Sequence, residues 1–329
     1  MVAPRNGGQE WPSQSVNPIL ALSTAWCSAR HTDGYAMLQE VAGMGFKHVE
    51  LSHGIRITLV PGILKALNEG FIQVSSTHNF CPLPAGMVHP APNLFEPSAP
   101  AGHGHEHDQW LRHTRRTLDF AAQVRAQAVV VHLGSVRFFW FDPGRRLRHF
   151  VRGHPSAAIP ADERYQRLLT KASARMRRCM PAFFAQTRSS IAEILPYAAE
   201  KNVRLGLENR EKFGELPLDG DFPALFDSLP QPGPAGYWHD TGHAELKERM
   251  GLITQRRLLV ENAVRLVGFH LHDVDAAGQD HQPIGRGNVD FKMVRQFWRP
   301  HHLLVLEFSP RVDAAEVRES KRRIEDLLG

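Results

Sequence analysis

The sequence has few cysteines and no long apolar run. Its three cysteines, Cys27, Cys81 and Cys179, lie far apart without C-x-x-C spacing, which disfavours a disulfide framework and a structural zinc site. No apolar run approaches the ~18 residues that a membrane-spanning helix needs. Residues 1–14 are polar and lack the apolar core of a signal peptide. We therefore expect a cytoplasmic protein with no membrane partner.

Nucleotide-binding motifs are also missing. Neither G-x-G-x-x-G nor G-x-x-x-x-G-K-[ST] follows a predicted strand, which argues against a nucleotide-binding sheet. The 39 Lys and Arg outnumber the 34 Asp and Glu, so the formal net charge is only +5. This mild excess is compatible with a phosphorylated or other anionic substrate and is too weak to predict a nucleic-acid partner.

What the sequence does have is a repeated alternation of strand-like and helical segments. Eight apolar runs are typical of buried strands, and they span residues 18–24, 47–52, 71–77, 128–132, 203–208, 235–240, 266–270 and 302–307. The alternation predicts a parallel sheet, and eight units predict closure as an α/β fold of the (β/α)8 TIM-barrel type. A doubly wound open sheet is the alternative. We expect one barrel domain over residues 18–329, preceded by a disordered or extended lead at 1–17.

Two segments interrupt this alternation. Residues 79–107 contain six prolines and several glycines, and residues 137–167 are rich in aromatic residues and arginine. We expect both to be long inserted loops. A long helix over residues 172–200 should be broken or kinked at its prolines.

Polar side chains close most of the apolar runs, at the end where TIM barrels build their active sites. These residues are His78, His132, Glu208, Asp240 followed by His243, His270 and Glu307. Unpaired charges are costly to bury, so several converging carboxylates require a counter-charge. One divalent metal ion supplies it, and Asp oxygen with His nitrogen suits manganese, cobalt or zinc, with magnesium as a further option.

Each of these residues also has a structural interpretation. Asp240 can be the cap of the next helix. The histidines at 78 and 132 can be core residues bonded to the backbone, and the two glutamates can pair with Arg204 or Arg210. We expect His272 to pack in the core or touch solvent, because the chain should turn beside it.

Five motifs in order along the second half of the chain resemble the xylose-isomerase-like barrel superfamily. That group includes sugar isomerases and epimerases, inosose dehydratases and endonuclease-IV-type abasic-site nucleases. The motifs are Leu207-Glu208-Asn209, Asp240-Thr-Gly-His243, His270-Leu-His-Asp273, Asp280-His-Gln-Pro-Ile-Gly-Arg-Gly287 and Glu307. The resemblance implies that Glu208, Asp240, His270 and Glu307 bind the metal.

The remaining site residues are expected to contact the substrate. They are His243, His78, His132, His281, Trp26 and Arg286. The nuclease branch of the superfamily binds three zinc ions. Here Gln279 stands where that branch has an aspartate, and Asp280 is out of register by one residue, so we expect a single ion.

The chemistry implied by the resemblance is proton transfer beside a carbonyl, through an enediolate stabilised by the metal. Glu208 and Glu307 would act as base and acid. The sequence therefore predicts a divalent-metal-dependent isomerase or epimerase acting on a sugar or sugar derivative, and a homo-oligomer is compatible with it. Three alternatives stay open: a lyase or dehydratase acting on a keto-sugar, keto-glycoside or cyclitol, an abasic-site nuclease, and a non-catalytic sugar-binding subunit.

Overall fold

The computed structural model describes residues 17–87, 89, 92–99, 104–139, 141–152, 159, 161–230 and 233–329. The lead predicted at residues 1–17 therefore lies outside the described residues, except for Asn17. None of the described helices has the length and apolar content needed to span a bilayer.

Eight parallel strands form a closed barrel in chain order, and the last strand pairs with the first. They are β1 (Ile19–Ser23), β2 (His48–Leu51), β3 (Gln73–His78), β4 (Ala128–Val131), β5 (Arg204–Glu208), β6 (Ala235–Asp240), β7 (Leu266–Leu271) and β8 (Leu303–Leu306). The predicted TIM barrel is confirmed, and every strand lies within two residues of its predicted bounds. Short apolar runs located the strands well because both faces of each strand are buried.

Ten α-helices accompany these strands within the described part of the chain. They are α1 (Gly34–Gly43), α2 (Val60–Glu69), α3 (Gly104–Gln123), α4 (Pro143–Arg152), α5 (Glu163–Glu200), α6 (Phe222–Ser228), α7 (Thr241–Arg249), α8 (Gln255–Asn262), α9 (Phe291–Arg295) and α10 (Ala314–Leu328). Asp33 caps α1, as expected, by accepting hydrogen bonds from the backbone of Tyr35 and Ala36.

The prediction of two long loops was wrong for the second insertion. Helix α4 lies inside residues 137–167, and α5 begins at Glu163 and continues through Pro181 and Pro196 instead of breaking there. Apolar side chains of α4 and α5 bury against each other and against the loop after β5, in a small core that includes Leu147, Tyr165 and Phe213. This packing stabilises helices that composition alone did not predict.

The first insertion is a loop as far as it is described, but it ends earlier than predicted. Residues 79–87 and 92–99 contain no helix or strand, and α3 then begins at Gly104. Part of this loop lies over the end of β4, where Ser98 donates a hydrogen bond to the carbonyl of Ser135. The loop therefore helps to form the wall of the barrel mouth.

The interior of the barrel is closed by Trp238, which is fully buried. Two glycines on the neighbouring strands provide its space. A Cβ atom at Gly206 would lie 2.8 Å from Cε3 of Trp238, and a Cβ atom at Gly268 would lie 2.5 Å from its Cζ3. The indole also contacts the ring of His270 edge-on, with a centroid distance of 5.1 Å. The indole therefore lies directly beneath the polar groups at the barrel mouth.

Candidate metal centre

The four predicted metal ligands meet at the carboxyl ends of neighbouring strands. Glu208, Asp240, His270 and Glu307 each offer a donor atom, and these atoms all lie within 4.8 Å of one another. Nδ1 of His270 is 2.8 Å from Oε1 of Glu208 and 3.2 Å from Oε2 of Glu307. The register explains the convergence, since Asp240 pairs with His270 across adjacent strands and side chains two apart on a strand face the same side.

The electrostatics of this cluster favour a cation at its centre. Burial acts to raise the pKa of Glu208, but the charge of Arg210 and a hydrogen bond with His270 outweigh burial and hold that pKa well below its usual range. Burial also acts to raise the pKa of Glu307, but His270 and His281 outweigh burial and keep that pKa well below its usual range. The pKa of His270 is raised well above normal, because the carboxylates of Glu307 and Glu50 outweigh its burial. Ionised carboxylates therefore surround one position that needs positive charge.

Two histidines at the same end of the barrel direct an unprotonated nitrogen toward the site. In His78, Nδ1 donates to the carbonyl of Asn79, and in His132 it donates to the amide oxygen of Asn93. Nδ1 of a third histidine, His243, lies 3.1 Å from the carbonyl of Asn209 and 3.4 Å from Nη1 of Arg210. A neutral imidazole with a proton on Nδ1 keeps its lone pair on Nε2. Burial is the main cause that lowers the pKa of His78 and of His132, which favours this neutral form in both rings.

These donors fit a divalent metal. Nε2 of His132 lies 2.9 Å from Oε2 of Glu208, yet it is buried without a hydrogen bond among the described residues. A buried polar atom with no partner is expensive unless something binds it. Two imidazole nitrogens and a carboxylate oxygen, from His78, His132 and Glu208, form one further candidate group within the described residues, and such N/O donor sets suit zinc, manganese or cobalt.

Asp280 also reaches the site, which corrects the expectation based on register. Its Oδ1 is 3.2 Å from Nδ1 of His281, and its Oδ2 is 3.9 Å from Nε2 of His243. These three residues form another candidate metal group, and His272, His281 and Glu307 form one more. The backbone of His281 is left-handed, with φ of 55°, so adjacent side chains turn to the same side in a way that counting along an extended chain does not predict.

Asp240 caps a helix and also faces the candidate metal cluster. Its Oδ1 accepts a hydrogen bond from the backbone of His243 at 2.7 Å and so caps α7. Its Oδ2 accepts one from Nε2 of His272 at 3.0 Å and faces the cluster. The side chain of Asn209 binds the backbone N–H and C=O of Asp240, at 2.7 and 3.0 Å. Two neighbours therefore fix the position of this carboxylate.

The predicted arginine pairing of Glu208 occurs, but through only one of the two candidates. Arg210 donates to Oε2 of Glu208 at 2.9 Å and to Glu215 at 3.4 Å. Arg204 begins β5, at the opposite end of that strand. Arg210 leaves Oε1 of Glu208 facing His270, so the ion pair and the metal group are compatible.

Several residues near the centre were missed by the sequence analysis. Glu50 on β2 contacts His270, and His53 directs a buried Nδ1 that has no hydrogen-bond partner among the described residues. Burial lowers the pKa of His53 to about 4, so its ring is neutral. His272 is buried and bonded to Asp240, and does not touch solvent. The sequence did contain a signal for Glu50, because it is a charged residue between the apolar residues Val49 and Leu51.

A cavity of about 1040 Å³ opens above the cluster. Seven of the predicted site residues line it: His78, His132, Glu208, His243, His281, Arg286 and Glu307. Arg286 is exposed at the rim and pairs with Glu316. Trp26 is not among the described residues that line the cavity, because its ring is buried and its Nε1 donates to the carbonyl of Val312 at 2.7 Å. Trp26 is therefore not placed to contact a substrate in this cavity, contrary to the expectation from the sequence.

The chain belongs to the family of xylose isomerase-like TIM barrels, whose model matches residues 38–326. No curated protein matches the sequence. Among solved structures it is similar to a 3-keto-D-glucoside 4-epimerase from E. coli, with 14% identity, a TM-score of 0.64 and coverage of 94% of this chain and 99% of that one.

Two further similar structures are also described as epimerases. A D-allulose 3-epimerase from Methylomonas sp. has 13% identity and a TM-score of 0.63, with coverage of 95% of this chain and 99% of that one. An L-ribulose 3-epimerase has 13% identity and a TM-score of 0.62, with 94% of each chain covered. At these identities the similarity establishes the shared barrel fold.

Proposed function

We propose that this protein is a divalent-metal-dependent isomerase or epimerase of a sugar or sugar derivative. The observation that carries the proposal is the convergence of Glu208, Asp240, His270 and Glu307, with donor atoms within 4.8 Å of one another at the floor of a large cavity. The similar structures described as sugar epimerases support the substrate class.

When bound, the metal would supply a Lewis acid that draws charge from a substrate carbonyl and acidifies the adjacent carbon. Glu208 and Glu307 are the groups that take and return the proton. Both line the cavity, and the low pKa of each keeps it ionised. Arg210 holds Glu208 from the side, and His281 lies 3.6 Å from Glu307, so each carboxylate has a fixed direction.

The test is exchange of a substrate C–H proton with solvent deuterium, measured by mass spectrometry across a panel of keto-sugars and keto-glycosides. Wild-type protein with manganese or cobalt should incorporate deuterium into at least one of them. Glu307→Gln should reduce the exchange at least 100-fold while substrate affinity is largely kept, because the amide cannot accept the proton. Glu211→Gln, which changes a glutamate at the cavity rim outside the donor groups, is the matched control. Unchanged exchange in Glu307→Gln removes that residue from the mechanism.

A second function is favoured by one observation, the further donor groups around the cavity. His78 and His132 with Glu208, and His243 and His281 with Asp280, are the kind of sites that hold additional ions. A centre with several metal ions supports hydrolysis of phosphate esters, as in an abasic-site nuclease. Elemental analysis separates the two, since about one metal ion per chain supports the epimerase and about three zinc ions support the nuclease. Cleavage of an abasic duplex, with steeply salt-dependent binding, would decide for the nuclease.

A further inference from the structure

A buried carboxylate behind the metal centre has no role in the chemistry described so far. Glu50 lies on β2, separated from His270 on β7 by strands β8 and β1, and it is completely buried. It is not among the described residues that line the cavity. It therefore does not contact a substrate there, and any effect it has on the reaction passes through another side chain.

Three side chains bind the carboxylate of Glu50. Ser23 on β1 donates to Oε1 at 3.1 Å, and Ser76 on β3 donates to Oε2 at 2.8 Å. These serines are the lateral neighbours of Glu50 in the sheet. From across the barrel, Nε2 of His270 lies 3.1 and 3.2 Å from the two oxygens. The two serine hydroxyls hold the carboxylate in place, and the imidazole is the group it can act on.

This contact determines which nitrogen of His270 is available to a metal. A carboxylate accepts hydrogen bonds only, so Nε2 must carry a proton and donate it to Glu50. The opposite nitrogen, Nδ1, faces Glu208, Glu307 and Asp240 at 2.8, 3.2 and 3.8 Å. A histidine that binds a metal commonly donates its other N–H to such a partner, which fixes the tautomer and orientation of the ring.

We propose that Glu50 is a positioning residue that orients His270 for metal binding. This inference rests on the proposed metal centre. Glu50 holds the proton on Nε2 and aims Nδ1 at the three carboxylates, although it belongs neither to the candidate donor groups nor to the cavity lining. Losing it leaves the ligand present but free to change tautomer and to rotate.

The test is metal affinity measured by titration of cobalt(II) into metal-free protein, followed by calorimetry and by the cobalt absorption spectrum. Glu50→Gln should bind cobalt 10- to 100-fold more weakly than wild type, as expected for loss of such a partner, and its spectrum should change. Ser76→Ala should weaken binding less, since one support of Glu50 remains. Ser75→Ala is the matched control, because the hydroxyl of this adjacent serine contacts the carbonyl of Val49 and the hydroxyl of Ser76 and does not bind Glu50. Its cobalt affinity should equal that of wild type.

A purely structural role for Glu50 would lower the thermal stability of metal-free protein and leave the cobalt affinity within twofold of wild type. That result, or an unchanged cobalt spectrum, overturns the inference. If wild-type protein itself binds no metal, the proposed function fails instead, so the two failures are distinct.

A measurement on the wild type covers the case in which Glu50→Gln does not fold. In zinc-loaded protein, long-range ¹H–¹⁵N correlation spectra should show the His270 ring protonated on Nε2 only, with the metal on Nδ1. The signal is assigned by its loss in His270→Gln. An unprotonated Nε2 in the zinc-loaded wild type overturns the inference without any variant of Glu50.

Discussion

Single side chains at the barrel mouth serve two purposes at once. Asp240 uses one oxygen to cap α7 and directs the other toward the candidate metal centre. The histidines at 78 and 132 each bind an oxygen acceptor through Nδ1 and leave Nε2 for the site. The structural and the functional interpretation of such a residue are therefore compatible, because the structural bond fixes the direction of the atom that faces the site.

A histidine at the opposite end of the barrel should control acid stability. Burial, with His301 and Arg204 beside it, lowers the pKa of His302 from 6.5 to about 3. As the pH falls below 6.5 the unfolded chain binds a proton on this ring and the folded protein does not. The free energy of unfolding should therefore decrease from about pH 6.5 down to about pH 3, by up to about 1.4 kcal/mol per pH unit for one proton.

Urea unfolding of His302→Asn between pH 7 and 4 checks this expectation. The free energy of unfolding of the variant should decrease less than that of wild type as the pH falls, because one proton fewer is taken up on unfolding. His149→Asn, at an exposed position on α4, is the control and should follow the wild type. A slope for His302→Asn that matches the wild type would contradict the assignment.

At the scale of elements, the strands that carry the candidate ligands depend on close packing beneath the site. Both β5 and β7 contain a glycine two residues before their ligand, and both glycines face the ring of Trp238 from β6. The indole of Trp238 occupies the space that a side chain at either glycine would need. Since protein interiors are close-packed, extra volume at either glycine has to displace backbone or the indole.

Gly268→Ala should destabilise the barrel by roughly 1–3 kcal/mol through overpacking. The new Cβ would lie 2.5 Å from Cζ3 of Trp238 and 2.8 Å from the carbonyl of Leu303. Gly43→Ala, in α1 where nothing lies within 4 Å of the new Cβ, is the matched control and should be neutral or stabilising by up to about 1 kcal/mol. Urea denaturation followed by circular dichroism measures both, and equal stability of the two variants would exclude the overpacking effect.

The whole molecule combines a mixed-charge barrel with one basic insertion. Residues 137–178 contain eleven Lys and Arg against three Asp and Glu, whereas the complete chain has a net charge of only +5. This segment folds on the small core shared by α4 and α5. Most of its basic residues therefore lie on α4 and α5 instead of an irregular loop. These helices pack beside the loop after β5, which carries Phe213 in the small core and Arg210 at the cavity.

Metal binding should stabilise the whole protein. A ligand that binds only the folded state adds about 2.7 kcal/mol at a free concentration 100 times its Kd, so manganese or cobalt should raise Tm by several degrees. EDTA should reverse the shift. Glu208→Ala should show almost no shift, because Glu208 belongs to two of the candidate donor groups. Differential scanning fluorimetry measures this, and a wild-type Tm that is the same with and without metal would contradict the metal centre.

The sequence by itself determined the parts of this protein that follow a local pattern. Buried strands appear in the sequence as short apolar runs, and the alternation of eight such runs with helical segments predicted the barrel fold. The polar residues that end these runs had to converge because parallel strands place their carboxyl ends at one edge. The resemblance to the xylose-isomerase-like superfamily then selected Glu208, Asp240, His270 and Glu307 from among these residues as the expected metal group.

Only the tertiary structure decided the contacts between residues far apart in the chain. Glu50 meets His270 across 220 positions, and a left-handed backbone at His281 turns Asp280 into the site. The packing of α4 on α5 made helices from a segment that composition described as a loop, and Trp26 became a buried residue bonded to Val312. Local periodicity reports which face of an element is buried, whereas the closed barrel determines which residue from another element lies against it.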